Sequence, residues 1–179
     1  MSETADIASY IRTIPDFPIT GVQFRDVTTL FNHPTGFRQT IDAIANPYTE
    51  VEIDTIVALD ARGFILGGAV AYKLGLPFVP IRKKGKLPGS TIAEAYSLEY
   101  GEATVEIHDD SLNAGQRVLL VDDLLATGGT AAAAVQLIER LGGHIVAAAF
   151  VVNLPDLGGE ARLRKMGIEV LTLCSFDGD

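Results

Sequence analysis

The chain has 179 residues, 47% hydrophobic and 21% charged, with 23 acidic against 14 basic residues and a net charge of −9. That is the size of one domain burying roughly 70% of its extended surface, and no apolar run reaches the ~18 residues of a bilayer span. The acidity argues against a nucleic-acid partner, and the single Cys174 excludes an internal disulfide.

The N-terminus, MSETADIASYIRTI, is acidic and lacks a signal-peptide pattern, so the expected setting is the cytoplasm, with no membrane partner. Residues 3–13 read as a short helix with Ile7, Tyr10 and Ile11 on one face. Pro15 and Pro18 end it in an extended linker; Thr20-Gly21 is a turn, and Gln23–Leu30 is extended. His33-Pro34 starts a second helix with Pro34 near its first position, and Asn46-Pro47 stops it. These residues, 1–50, show no strand–helix repeat and are expected to form a cap on a core spanning 51–179.

From Asp54 the pattern alternates. Thr55–Leu59 reads as a strand, Phe64–Leu74 as a helix and Pro77–Ile81 as a strand. Lys84–Glu102 is expected to be a mobile loop carrying Gly85, Pro88 and Gly89, and period-2 runs near Ala95–Leu98 and Ala103–His108, separated by Glu99-Tyr100-Gly101-Glu102, suggest a flexible hairpin. Val118–Val121, His144–Val152 and Glu169–Leu173 read as strands, with helices over 131–141 and 158–165. Strands alternating with helices predict an α/β fold with a mostly parallel central sheet and helices on both faces. Ligands of such sheets bind beyond the carboxyl ends of the strands, where Asp60, Arg82, Asp122 and Asn153 are expected. His33, His108 and His144 are too scattered for metal-ligand spacing.

The most informative stretch is Val118–Thr130, VLLVDDLLATGGT. Its apolar start has the branching of a strand buried on both faces. The small-residue loop that follows opens into an alanine-rich helix. Unpaired amides at a helix start, the helix dipole and close backbone approach at Gly128 and Gly129 together suit a phosphate. Thr130 stands where a P-loop needs lysine, which argues against P-loop nucleotide hydrolysis. Asp122 and Asp123 would repel a phosphate at close range but can accept hydrogen bonds from a ribose diol. The residues therefore point to a ribose 5-phosphate site. Four of the fourteen basic residues, Arg82, Lys83, Lys84 and Lys86, fall within five positions, and can serve a polyanion despite the acidic surface.

With Pro15–Pro18, GVQFRD (Gly21–Asp26), LDARGF (Leu59–Phe64) and Ile81–Gly101 (IRKKGKLPG…YSLEYG), this stretch resembles the type I phosphoribosyltransferases, most closely the adenine-using members. The resemblance covers residues from about 10 to 160. It implies displacement of pyrophosphate from carbon 1 of phosphoribosyl diphosphate (PRPP) by N9 of adenine, giving AMP through an oxocarbenium-like transition state. Asp122 and Asp123 would hold the ribose, and Ala126, Thr127, Gly128, Gly129 and Thr130 the 5′-phosphate. Asp60, Ala61 and Arg62, with Lys83, Lys86 and Tyr100, would bind pyrophosphate, and the peptide between Asp60 and Ala61 is expected to be cis. Backbone groups at Gln23, Phe24 and Arg25 would read adenine, with Leu154 on its far face.

Relatives using 6-oxopurines carry an acid where Ala126 stands, and a lysine that Val151–Asp156 lacks, which favours adenine. Glu99 is then the candidate to manage the purine proton, with Arg62 assisting the leaving group. Mg²⁺ is expected mainly through substrate oxygens rather than a protein cage. The resemblance also implies a homodimer. Two other readings stay open: the same chemistry on xanthine or a pyrimidine, and a PRPP-sensing regulator without catalysis. The acidic charge and the lack of a helix-turn-helix signal count against the regulator.

Overall fold

A computed structural model describes residues 6–97 and 101–178. At the N-terminus one 3₁₀ turn, Ile7–Tyr10, replaces the helix expected over 3–13. The chain turns extended at Ile11 because Arg12–Pro15 (β1) pairs antiparallel with Gln23–Asp26 (β2), Ile14 lying opposite Phe24. The extended reading of Gln23–Leu30 ends at Asp26. Its carboxylate accepts from the Thr28 N–H at 3.0 Å and starts the short helix Thr28–Phe31 (α1). The next helix, Pro34–Ala45 (α2), begins as expected with proline at its first position, and His33 Nδ1 accepts from the Gly36 N–H at 3.0 Å.

The core follows as Thr55–Leu59 (β3), Arg62–Leu74 (α3), Phe78–Lys83 (β4), Thr91–Ser97 (β5), Glu102–His108 (β6) and Arg117–Leu125 (β7). It ends with Gly129–Arg140 (α4), His144–Asn153 (β8), Gly159–Lys165 (α5) and Val170–Ser175 (β9). Seven strands form one sheet in the order β5-β6-β4-β3-β7-β8-β9. The five from β4 to β9 are parallel; β6 runs antiparallel to β4 and pairs with β5 as a hairpin. This is the expected α/β architecture. The hairpin is present and longer than expected: residues 91–97 pair with 102–108 in continuous register, so part of the loop expected over 84–102 is strand.

Alternation along the central strands divides the core. Val57, Leu59, Val118 and Leu120 face α4 and α5, while Ile56, Ala58, Leu119 and Val121 face α2 and α3. The cluster on the α3 side also takes in Ile11, Val27 and Leu30, so the N-terminal segment packs on that helix layer. Leu119 and Leu120 are fully buried, and each contributes about 2 kcal/mol of burial. Truncating either to alanine would cost about 2–5 kcal/mol. The two buried faces fix β7 inside the sheet, between β3 and β8.

Candidate active site

The acid pair sits inside a strand rather than after one. β7 continues through Asp122 and Asp123 to Leu125 because β8 is long enough to keep pairing, Asp122 lying beside Phe150 and Leu125 beside Asn153. Arg82 and Asn153 likewise belong to their strands, and only Asp60 follows one. All four still lie at the carboxyl ends of parallel strands. The loop expected to hold phosphate is thereby shortened to Ala126–Gly128, and Gly129 already begins α4.

Three segments meet in a cleft of about 390 Å³. Asp60, Ala61, Arg62 and Lys83 line it together with Asp122, Asp123 and the run Ala126–Thr130. The peptide between Asp60 and Ala61 is cis. Phe24, from the candidate base strand β2, has the Arg62 guanidinium 5.9 Å from its ring centre, next to the cleft. Gln23, Arg25 and Leu154 are not in the cleft wall. Arg25 turns to the C-terminal segment, its guanidinium 4.5 Å from the Phe176 ring centre. Lys86 is exposed and outside the cleft, and its carbonyl accepts from Arg82 Nη1 at 3.3 Å. Glu99 and Tyr100 lie outside the described residues.

The electrostatics follow from the packing. Arg62 Nε donates to Asp123 Oδ2 at 2.5 Å. Asp123 is buried, whereas the Arg62 side chain is 43% exposed, which leaves its outer nitrogens open to an anion. Asp122 Oδ1 accepts from the Asp123 N–H at 2.9 Å. Burial, and then the neighbouring Asp123 carboxylate, push the Asp122 carboxyl well above its ordinary range. The close fit requires glycine at position 63, where a Cβ would stand 2.7 Å from Asp122 Oδ1. The start of α3 thus rests directly on the acid pair, joining the expected pyrophosphate turn to the expected ribose site.

Tyr96, Val105 and Glu106, and the contacts of Arg82, go beyond the residue roles expected from the sequence. Tyr96 and Val105 line the cleft from the hairpin. Arg82 Nε donates to Asp60 Oδ2 at 3.0 Å, so one side chain ties the Asp60–Arg62 turn to the basic turn after β4. The buried Glu106 accepts from the Gly85 N–H at 2.9 Å and holds that turn from behind. Period-2 alternation puts Ile92, Glu94 and Tyr96 on one face of β5 and could have marked Tyr96. The Arg82 and Glu106 contacts depend on strand register, which single-sequence patterning does not supply.

A cleft joining a carboxylate pair, a glycine-containing helix start and an arginine turn has the parts needed for a phosphorylated ribose. The family model for the phosphoribosyl transferase domain matches residues 26–171. The chain belongs to the phosphoribosyltransferase family. This phosphoribosyltransferase is 63% identical over 172 residues to the adenine phosphoribosyltransferase of Roseobacter denitrificans, covering 96% of this chain and 98% of that one. Among solved structures it is similar to the adenine phosphoribosyltransferase of Rhodothermus marinus, with a TM-score of 0.91 and 47% identity over 97% of this chain and 98% of that one. The Saccharomyces cerevisiae enzyme, solved with D-2,5-dideoxy-2,5-imino-altritol 1,6-bisphosphate and adenine, gives a TM-score of 0.89 and 39% identity, covering 96% and 98%.

Proposed function

We propose that this phosphoribosyltransferase acts on adenine, transferring the 5-phosphoribosyl group of PRPP to N9 and releasing AMP and diphosphate, a purine-salvage reaction. The observation that carries the reading is the meeting of Asp122-Asp123, the Ala126–Thr130 helix start and the Asp60–Arg62 turn in one cleft. The relatives' names and the alanine at position 126 support adenine as the base.

Each part has a physical task. The amides of residues 126–130 and the hydroxyls of Thr127 and Thr130 bind the 5′-phosphate at the start of α4. Asp122 and Asp123 accept from the ribose hydroxyls. The outer nitrogens of Arg62, with Lys83, Lys86 and Tyr100 and the backbone of Asp60-Ala61, stabilise charge that builds on the departing diphosphate. Phe24 stacks near the base while Gln23 and Arg25 offer backbone groups to its edge, with Leu154 on the opposite side. Glu99 manages the purine proton as the bond to carbon 1 forms. The segment 84–102 closes over the site and keeps water from PRPP. Together these make 1–179 one catalytic domain with residues 1–50 as its cap.

Mg²⁺ fits the donor chemistry of this cleft, whose Asp60 and Asp122 supply hard carboxylate oxygens. Among the described residues no three His, Cys, Asp or Glu side chains group as a protein cage. The ion would be held mainly on substrate oxygens, and when bound it would neutralise diphosphate charge. No helix of the described residues is long and apolar enough to cross a membrane. A cytoplasmic homodimer is the proposed working form, on the resemblance already given.

The deciding experiment incubates the protein with PRPP, Mg²⁺ and adenine, guanine, hypoxanthine, xanthine or a pyrimidine, and identifies the nucleotide formed. AMP from adenine, with little product from the others, is expected. A different nucleotide would transfer the reading to another base, and no diphosphate release with any base would favour a PRPP sensor.

A further inference from the structure

The wall behind the phosphate loop is the start of α5, where two glycines stand side by side for different reasons. Gly158 has φ +74°, and a Cβ there would meet nothing within 4 Å. Gly159 is not in the left-handed region, yet a Cβ there would lie 2.3 Å from the Ala126 carbonyl oxygen and 2.8 Å from the Gly128 nitrogen. Both are main-chain atoms, so no side-chain rotation relieves the clash. The Gly159 N–H also donates to the Ala126 carbonyl at 3.0 Å. A trans peptide is planar, with its C=O and N–H pointing opposite ways. Aiming the Ala126 carbonyl at Gly159 therefore turns the Thr127 N–H away from α5, and Thr127 lines the cleft.

The seat itself is anchored. Asn153 Nδ2, at the end of β8, donates to Glu160 Oε2 at 2.8 Å, and the Leu154 N–H donates to the Leu125 carbonyl at 3.0 Å. The loop and the start of α5 are thus held from the same pair of strands, β7 and β8.

We propose that Gly159 is a positioning residue for phosphate recognition: by admitting the Ala126 carbonyl against α5, it fixes the peptide plane that presents the Thr127 amide to the 5′-phosphate. The inference rests on the phosphoribosyltransferase reading of the cleft. Gly159 touches no substrate and acts only through the loop.

The neighbouring glycines supply the test, read by calorimetric titration with AMP and with adenine, by steady-state kinetics and by Tm. If wild-type protein fails to bind AMP, the functional reading falls and this inference falls with it. If wild type binds AMP, Gly159→Ala should weaken AMP binding and raise the PRPP KM, each by about tenfold, the scale of one charge-assisted hydrogen bond. Adenine binding and kcat should stay within about twofold of wild type, because neither depends on the phosphate amide. Gly158→Ala strains the backbone without touching the loop, so it should lower Tm and leave AMP affinity within about twofold.

Wild-type AMP affinity in Gly159→Ala, or equal AMP losses in both variants, would overturn the proposal. Should Gly159→Ala not fold, hydrogen exchange in the wild-type protein decides. Exchange of the Gly159 amide should slow by about tenfold on saturation with AMP and not with adenine. No difference between the two ligands refutes the coupling.

Discussion

The two ends of the central strands use the same residue types to opposite effect. At the amino end of β3 and β7, Arg117 donates to Asp54 through Nε and Nη2, both at 2.9 Å, and through its backbone N–H at 2.7 Å, and its Nη1 reaches Glu52. At the carboxyl end, Asp122 and Asp123 share one arginine, Arg62. Each end sets two carboxylates against one arginine, so solvent and crowding make the difference. Asp54 is part-exposed and takes three hydrogen bonds from Arg117, which hold its carboxyl down to about 2. Asp122, in the upper pair at the carboxyl end, is pushed up first by burial and then by the adjacent Asp123. The contrast separates a clasp from a candidate site: an arginine that saturates its acid steadies strand register, whereas a crowded, desolvated acid pair is suited to a substrate's donors.

Removing the upper pair tests that contrast most severely. Asp122→Ala with Asp123→Ala should lower kcat/KM by about 10²–10³-fold, since two charge-assisted bonds to the ribose disappear. Tm should hold or rise, because the repulsion between the two carboxylates goes as well. Intact nucleotide synthesis in the double variant, followed by assay of AMP formation, would remove the ribose from this pair. Next in size is Glu99→Ala, which tests the candidate acid/base. Turnover should fall by about 10²-fold while the PRPP KM changes little. Steady-state kinetics check this, and unchanged kcat would exclude Glu99 as the acid/base.

How much of this was legible depended on how local each feature is. VLLVDDLLATGGT declares its strand, loop and helix because apolar run, glycines and alanines all fall within a few residues. Its strand end was misplaced because β8 extends the ladder past Asp122, and the length of a partner strand is invisible from β7 alone. The N-terminal amphipathic run has a helical pattern, yet pairing of β1 with β2 outcompetes it from Arg12 onward. Short helices depend on tertiary packing, so a non-local partner decides their extent. The arginine contacts divide in the same way. Arg62 was named from its turn, but its bond to Asp123 spans 61 positions and emerges only when α3 packs on β7.

At the amino end the effects should be smaller and confined to stability. Arg117→Ala leaves Asp54 and Glu52 without their cation, and should lower Tm by a few degrees in thermal melts while kcat/KM stays within about twofold. A large loss of activity instead would show that the two sheet ends are coupled through β7.

The smallest expected effect is the sharpest comparison, because the two ends predict opposite slopes of stability against pH. Asp54 has a folded value lowered from 3.8 to about 2, so it releases its proton more readily folded than unfolded. Its contribution is present above about pH 4 and is lost as pH falls towards 2. Asp122 has a folded value raised above 3.8, so the folded state retains a proton that the unfolded chain has shed. Where the folded state binds more protons, stability falls as pH rises. Asp122 therefore removes stability as pH climbs from its ordinary value through its raised one. Asp122→Asn cannot ionise, and should flatten that upper slope in chemical-denaturation curves taken across the pH range. Asp54→Asn should flatten only the acid limb. If Asp122→Asn left the upper slope intact, the acid pair would be compensated within the protein, and the burial and crowding that distinguish the candidate site from the clasp would have no energetic effect.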